Sequence, residues 1–164
     1  MLKVGGTWAD LGSGGGAFTL ALADLIGPQG VIYSVDRDRY ALQTQARALH
    51  TQFPAVAVTY VTGDFTQPLD LPPLDGVVMA NSLHFVEPSL KLPVVKLIKT
   101  LLRPNGRLVV VEYNTDTSNA WVPYPFTYPR WETLARAAGF AHTEPLATAA
   151  AGQSPHGFYS AQSW

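Results

Sequence analysis

The stretch Thr7-Trp-Ala-Asp-Leu-Gly-Ser-Gly-Gly-Gly-Ala17 decides the fold of this chain. It places a short apolar run, a cluster of glycines and the start of a helical pattern in direct succession. Glycines let the backbone turn tightly and let a ligand approach the main chain closely. A glycine-rich loop between a strand and a helix is typical of nucleotide-binding α/β folds. We therefore predict a strand, a ligand-binding loop and a helix at the start of the chain.

The rest of the chain alternates short apolar runs with helical patterns, which predicts a parallel sheet with crossover helices. We expect strands at 7–11, 31–35, 56–61, 75–80 and 107–113, and helices at 17–26, 39–50, 89–102 and 131–138. Two further strands, 140–146 and 157–161, flank a turn at 148–155 and predict a C-terminal antiparallel hairpin. The predicted fold is α/β, a Rossmann-like, doubly wound, mostly parallel sheet in three αβα layers. Its length of 164 residues fits one domain spanning 1–164.

Composition and charge exclude several classes of protein. The formal net charge is −1, so no basic field is available for nucleic acid or an anionic membrane surface. Cysteine is absent, which removes disulfides, thiolate catalysis and cysteine-ligated metal sites. The four histidines are far apart in sequence, and we expect no metal site. The N-terminal residues resemble no export signal and no apolar run spans a bilayer, so we expect a cytoplasmic protein.

Asp36 strengthens the prediction of a nucleotide site. It ends the second predicted strand roughly 20 residues beyond the glycine loop, the offset expected of an acid that binds ribose hydroxyls. The alternative is that Asp36 only caps the following helix. The loop spacing leaves the cofactor open, because Gly12-x-Gly14-x-x-Ala17 fits a dinucleotide and Gly12-x-Gly14-x-Gly16 fits S-adenosylmethionine.

Motifs further along the chain narrow this choice. In order they are Ala9-Asp-Leu-Gly-Ser-Gly-Gly-Gly16, Val35-Asp36, Gly63-Asp-Phe65, Asp75-Gly-Val-Val-Met-Ala-Asn-Ser-Leu-His-Phe-Val86 and Leu102-Arg-Pro-Asn-Gly-Arg-Leu-Val-Val-Val-Glu112. This ordered set resembles the class I S-adenosylmethionine-dependent methyltransferases, in particular their small-molecule branch. The resemblance implies S-adenosylmethionine as cofactor and a small molecule as substrate.

The resemblance also implies roles for individual residues. Those expected beside the methionine and ribose portions of the cofactor are Asp10, Gly12, Ser13, Gly14 and Gly16. Asp36 is expected at the ribose hydroxyls, and Arg37 beside the adenine. Asp64 is expected to accept a hydrogen bond from the adenine amino group, and the backbone N–H of Phe65 to reach a ring nitrogen. Those expected near the methionine end are Asn81, Ser82 and Leu83. The alternative for Asp64 is ordinary turn chemistry after the third strand.

His84 is the candidate general base, because it follows the fourth strand and histidine serves this role most often in enzymes. A packed or solvent-facing histidine is the alternative interpretation. Glu112 and Tyr113 end the fifth strand and are further candidates for the pocket. Methyl transfer is an in-line displacement that depends mainly on alignment, so a base is optional.

The sequence departs from the family pattern in two places. Asn81-Ser-Leu-His84 stands where methyltransferases of base or glutamine amino groups carry Asn/Asp-Pro-Pro-Tyr. The first strand begins near Thr7, whereas the family usually carries helices ahead of it. We therefore expect an open site, which a homodimer could cover. The stretch from Trp121 to Trp131 alternates prolines with aromatic residues, and it could cover the substrate, contact a partner chain or pack on the domain's own core.

The leading hypothesis is a methyltransferase that uses S-adenosylmethionine on an uncharged small molecule. One alternative is a catalytically inactive methyltransferase-like binding domain that needs a partner chain. A second alternative is an NAD(P)-dependent oxidoreductase, although no Tyr-x-x-x-Lys pair is present.

Overall fold

A computed structural model describes residues 5–149 and 157–164 of the chain. These residues form a seven-stranded sheet of order β3-β2-β1-β4-β5-β7-β6. The strands are β1 (Gly6–Leu11), β2 (Gly30–Asp36), β3 (Ala57–Thr62), β4 (Leu74–Ala80), β5 (Leu102–Tyr113), β6 (Thr143–Ala149) and β7 (Phe158–Ser163). Strands β1 to β5 are parallel, and β7 pairs antiparallel with both β5 and β6. The predicted fold class is confirmed.

Four helices cover the two faces of the sheet. They are α1 (Ala17–Ile26), α2 (Arg39–Gln52), α3 (Pro88–Leu101) and α4 (Tyr128–Ala138). Side chains of α1 and α2 pack in one core cluster, and those of α3 and α4 in the other. Strand residues contribute side chains alternately to the two clusters, because successive side chains of a strand point to opposite faces of the sheet. In β1, for example, Trp8 joins the α1–α2 cluster, whereas Ala9 and Leu11 join the other.

The ends of several elements differ from the sequence-based expectation. Helix α4 begins at Tyr128, three residues before the predicted start, because Pro129 is compatible with a first helical turn. Strand β6 begins at Thr143, because the left-handed Gly139 ends α4 and returns the buried Phe140 toward the helix. Strand β7 runs to Ser163, two residues beyond its predicted end. The predicted turn at 148–155 lies mostly outside the described residues.

Strand β5 also begins earlier than predicted. Leu102 pairs with Leu74, and the register then shifts before Arg107 pairs with Gly76. The predicted turn residues Pro104-Asn-Gly106 lie at this shift in register, and Asn105 adopts a positive φ of 65° there. This irregularity behaves as a β-bulge within one long strand.

The strand order determines where a ligand can bind. After β1 the chain moves outward through β2 and β3 on one side, and β4 and β5 lie on the other side of β1. Such a reversal opens a crevice at the carboxyl ends of the central strands. Within the described residues, no helix is both long and apolar enough to span a membrane.

Candidate functional site

A cleft of about 680 Å³ lies at the carboxyl edge of the sheet, a volume typical of sites for small molecules and cofactors. Residues following β1, β2 and β3 line one end of it, and residues following β4 and β5 line the other. The lining residues are Gly12, Ser13, Gly14, Asp36, Arg37, Gly63, Asp64, Phe65, Thr66, Ala80, Asn81, Ser82, Phe85, Val86, Glu87, Leu90 and Tyr124. The structure thus brings together nine of the twelve residues predicted to bind the cofactor.

The glycine loop is shaped by its contacts with neighbouring strands. The backbone N–H groups of Gly12 and Ser13 both donate to the carbonyl of Val35 in β2. Gly12 has a φ of 77°, and a Cβ there would lie 2.6 Å from the Cβ of Ser82. Gly14 has a φ of 51°, and a Cβ there would meet no protein atom within 4 Å. The loop therefore needs glycine at position 12 for packing and leaves open space above Gly14.

Ser13 turns its hydroxyl into the protein. Its Oγ accepts hydrogen bonds from Ser34 Oγ at 2.7 Å and from Gln45 Nε2 at 2.9 Å. The same Gln45 Nε2 donates to the carbonyl of Gly14 at 3.0 Å. This buried network fixes the loop from below, so Ser13 presents its backbone to the cleft.

Asp36 is oriented by two backbone donors. Its Oδ2 accepts from the N–H of Gly14 at 2.7 Å, and its Oδ1 accepts from the N–H of Asp38 at 2.8 Å. A carboxylate oxygen accepts more than one hydrogen bond, so each oxygen keeps capacity for a further donor. The neighbouring Asp38 is the residue that caps α2, through the N–H groups of Tyr40 and Ala41. Asp36 is thus available for a ligand with two adjacent hydroxyl groups.

Asp64 marks the far end of the cleft. Its Oδ1 accepts from both the backbone N–H and the hydroxyl of Thr66, at 2.9 and 2.7 Å. Its Oδ2 lies 3.7 Å from the exposed guanidinium of Arg37. Burial acts to raise the pKa of Asp64, but the Thr66 hydrogen bonds and the Arg37 charge outweigh burial and lower it. The carboxylate therefore stays ionised and able to accept a hydrogen bond from a ligand.

Asn81 and Ser82 form the cleft wall where β4 ends. Asn81 adopts a φ of 53°, and its buried Oδ1 has no hydrogen-bond partner among the described residues. The hydroxyl of Ser82 donates to the carbonyl of Leu11, which ties the end of β4 to the end of β1. An unpaired buried polar atom in a cleft wall is one that a bound ligand can satisfy.

Three predicted cofactor residues are absent from the lining: Asp10, Gly16 and Leu83. Asp10 is buried, and its Oδ2 accepts from Thr19 Oγ1 at 2.6 Å. Burial raises the pKa of Asp10 to about 6, against the Thr19 hydrogen bond and with a further contribution from the charge of Asp36. Gly16 precedes α1 as its N-cap, and Leu83 is buried in the core. Direct cofactor contacts by these three stay predictions.

His84 lies behind the cleft wall. Its ring is buried, and Nδ1 lies 2.7 Å from Oε2 of Glu112. The other oxygen of Glu112 accepts from the N–H groups of Leu83 and His84 at 2.9 and 3.3 Å. His84 is not among the residues that line the cleft, and this placement favours the packed interpretation. Its role as a base stays a prediction.

Lys91 is a buried residue that sequence reasoning missed. Its Nζ donates to the carbonyls of Leu83 and Val86 at 2.7 and 2.6 Å and lies 4.9 Å from the ring centre of Phe126. Burial lowers the pKa of Lys91 to about 8, although the charge of Glu112 acts in the opposite direction. The signal was a charged residue on the apolar face of α3, three and four positions before the buried Val94 and Val95.

The apolar lining of the cleft was also missed as a site. The part of it beyond β4 includes Phe85, Val86, Leu90 and Tyr124. Tyr124 comes from the stretch between Trp121 and Trp131 that the sequence singled out. The side chains of that stretch lie in three environments. Phe126 and Trp131 are buried in the core, Tyr124 borders the cleft, and Trp121 is exposed.

A family model described as "Methyltransferase domain" matches residues 9–110. The chain belongs to this methyltransferase family. Membership confirms the predicted class I S-adenosylmethionine-dependent methyltransferases, whose methyl donor is S-adenosylmethionine. A comparison with curated proteins found none that matches.

Solved structures of methyltransferases share the fold of this domain. A 1,6-didemethyltoxoflavin-N1-methyltransferase from Burkholderia thailandensis, with bound 1,6-didemethyltoxoflavin and S-adenosylhomocysteine, is 20% identical with a TM-score of 0.75, over 97% of this chain and 70% of that one. A S-adenosylmethionine-dependent methyltransferase from Aquifex aeolicus is 19% identical with a TM-score of 0.73, over 99% and 84%. The magnesium protoporphyrin IX methyltransferase of Synechocystis PCC 6803, with bound S-adenosylmethionine, is 15% identical with a TM-score of 0.74, over 97% and 69%.

The residues of the methyltransferase cleft fit the family's cofactor. The open space above Gly14 allows a ligand to contact the backbone, and the unpaired Oδ1 of Asn81 can accept a hydrogen bond from a ligand. Three carboxylates and one guanidinium line the cleft, from Asp36, Asp64, Glu87 and Arg37. An excess of negative charge suits a sulfonium cation, because opposite charges attract most strongly where water is partly excluded.

Proposed function

We propose that this chain transfers a methyl group from S-adenosylmethionine to an uncharged small molecule, as a single domain. The observation that carries the proposal is the convergence of the glycine loop, Asp36, Asp64 and Asn81 on one cleft at the carboxyl edge of the sheet. Family membership supports methyl transfer over hydride transfer. The methyltransferases that share the fold include a 1,6-didemethyltoxoflavin-N1-methyltransferase and a magnesium protoporphyrin IX methyltransferase, which supports a small-molecule acceptor.

The roles proposed for the chain's own groups are those that the family resemblance implies, and the positions of these groups in the cleft are compatible with them. When bound, S-adenosylmethionine supplies an electrophilic methyl group. Asp36 would accept hydrogen bonds from the two ribose hydroxyls, and Asp64 from the adenine amino group through its Oδ2. Asn81 would accept from the methionine end through its unpaired Oδ1. The protein's contribution is then alignment of donor and acceptor in a site of reduced water content.

His84 enters the proposal as the candidate base for acceptors that lose a proton. A general base contributes about 10²–10⁴-fold to the rate. If His84 acts in this way, His84→Gln lowers kcat by at least about 100-fold and removes one limb of the pH–rate profile, with cofactor affinity unchanged. An unchanged kcat assigns the ring to packing alone.

Calorimetric titration with S-adenosylmethionine and S-adenosylhomocysteine tests the proposal. We expect wild-type protein to bind both, and Asp36→Asn to lose at least about tenfold in affinity because one charge-assisted acceptor is removed. Asp38→Asn is the matched control, since this nearby carboxylate caps α2 and does not line the cleft. No binding by folded wild-type protein would overturn the proposal. Binding without S-adenosylhomocysteine formation across a broad acceptor screen would favour the inactive binding domain.

A further inference from the structure

The two ends of the cleft differ in chemistry because of the strand order. The end above β2 and β3 carries charged and polar side chains, among them Asp36, Asp64 and Thr66. The end beyond β4 is walled by Phe85, Leu90 and Tyr124. The polar end suits a nucleoside, so the apolar end is left for a second ligand in the same cleft.

These three apolar side chains are exposed in the structure. The exposed fractions are 56% for Phe85, 50% for Leu90 and 40% for Tyr124. A group of large exposed apolar side chains in one concave wall marks a binding surface, because water contact with that surface is unfavourable. A ligand that covers them gains the free energy of burying this area.

The backbone around these side chains is held in place. The N–H of Phe85 donates to the carbonyl of Ser82, and the N–H of Tyr124 donates to the carbonyl of His84. Lys91 Nζ, 5.9 Å from the Tyr124 ring centre, donates to the carbonyls that flank Phe85. The turn after β4 and the segment containing Tyr124 are therefore joined before any ligand binds.

The charges at this end select against an anionic ligand. Glu87 is the charged side chain that lines it. The ammonium of Lys91 is buried and engaged by two carbonyls. Among the described residues, the cation that lines the cleft is Arg37, at the polar end beside Asp64. A negatively charged acceptor would meet the exposed carboxylate of Glu87, whereas the nearby ammonium of Lys91 is already engaged by two carbonyls.

We propose that Phe85, Leu90 and Tyr124 form the acceptor subsite and that the acceptor is an uncharged aromatic molecule. Aromatic rings pack well against the rings of Phe85 and Tyr124, in stacked or edge-to-face arrangements. The inference rests on the proposed function, since it assumes that the cofactor fills the polar end. The occupant that we propose for this wall is a small molecule and not a second copy of the chain.

Fluorescence titration with methoxynaphthalene tests the subsite, in the presence of saturating S-adenosylhomocysteine. We expect binding to wild-type protein, and a loss of roughly tenfold in affinity for Phe85→Ala, Leu90→Ala and Tyr124→Ala, because each removes a large part of the apolar wall. Tyr40→Ala and Trp121→Ala are matched controls, since each removes a side chain that is 80% exposed and outside the cleft lining. These controls should change the affinity less than about twofold. Naphthoate, the anionic counterpart, should bind at least about tenfold more weakly than methoxynaphthalene.

Calorimetry with S-adenosylhomocysteine on the same variants separates the two proposals. Retained cofactor binding with weakened probe binding supports the subsite. Cofactor binding with no probe binding, or with equal loss in the control variants, overturns the subsite and leaves the proposed function standing. Tighter binding of naphthoate overturns the charge argument. A wild-type dimer that Phe85→Ala dissociates in sedimentation velocity would assign the apolar wall to contact between chains and overturn the subsite.

Discussion

Nδ1 of His84 lies 2.7 Å from Oε2 of Glu112, in a part of the core that also contains the ammonium of Lys91. Glu112 comes from β5 and accepts from the N–H groups that begin the turn after β4. Lys91 comes from α3 and donates to the carbonyls of Leu83 and Val86 in the same turn. A buried anion and a buried cation therefore hold the turn that carries Phe85.

The substitution Glu112→Gln tests the anionic half of this arrangement. We expect it to lower the free energy of unfolding by about 2–4 kcal/mol. The amide group of glutamine has one acceptor oxygen, so either His84 or the backbone N–H groups lose their acceptor. The substitution also removes the negative charge that faces Lys91. Chemical denaturation measures the change. Glu144→Gln, an exposed carboxylate on β6, should change stability by less than about 0.5 kcal/mol. Equal stability of Glu112→Gln and wild type would contradict the arrangement.

Lys91 predicts an alkaline dependence of stability. Its pKa is lowered from 10.5 to about 8 in the folded state, so the folded protein binds fewer protons than the unfolded chain between these values. The contribution of Lys91 to stability is therefore full above pH 10.5 and is lost as the pH falls through about 8. We expect the stability of wild type relative to Lys91→Met to rise across this interval by roughly 3 kcal/mol. A constant difference between the two proteins would contradict the burial of the charge.

Asp10 predicts the opposite dependence at acidic pH. Its folded pKa is raised to about 6 from 3.8, so its contribution to stability is full below the lower value and is lost as the pH rises through about 6. Asp10→Asn keeps an acceptor for Thr19 and removes the buried charge. We expect it to be more stable than wild type at neutral pH by roughly 2–3 kcal/mol, with the advantage disappearing toward pH 4. Thermal unfolding across this range measures it, and Asp24→Asn, an exposed position on α1, is the control.

The glycine loop offers a pair of neighbouring substitutions of which only one faces the cleft. Gly14 and Gly15 both have open space where a Cβ would stand, but only Gly14 lines the cleft. We expect Gly14→Ala to weaken S-adenosylhomocysteine binding by at least about tenfold, since the added methyl occupies ligand space and the positive φ is strained. Gly15→Ala should bind normally in the same calorimetric titration. Equal affinities for both variants would show that the ligand does not approach Gly14.

The sequence was sufficient to predict the fold and to place Asp36 and Asp64 at one edge of the sheet. Strand, loop and helix follow one another locally around Gly12 to Gly16, and the carboxyl ends of parallel strands must meet at one edge. Asp36 and Asp64 could therefore be placed together without coordinates. Element ends were less accurate, because the start of α4 and of β6 depends on packing around Pro129 and Phe140.

The apolar end of the cleft could not be predicted, because its members come from segments that only the folded chain brings together. Leu90 resembles any surface residue of an amphipathic helix, and Tyr124 was one aromatic residue among several. The roles of Gln45 and Lys91 depend on tertiary contacts too, although each shows one local sign: a polar residue among apolar ones on the buried face of its helix.

A crystal structure of the protein with S-adenosylhomocysteine tests the central claim most directly. We expect the ribose hydroxyls within hydrogen-bond distance of Asp36, the adenine amino group near Asp64, and the sulfur directed toward the wall formed by Phe85 and Tyr124. Adenosine bound outside this cleft, or bound in the reverse direction with its base against Phe85, would contradict it.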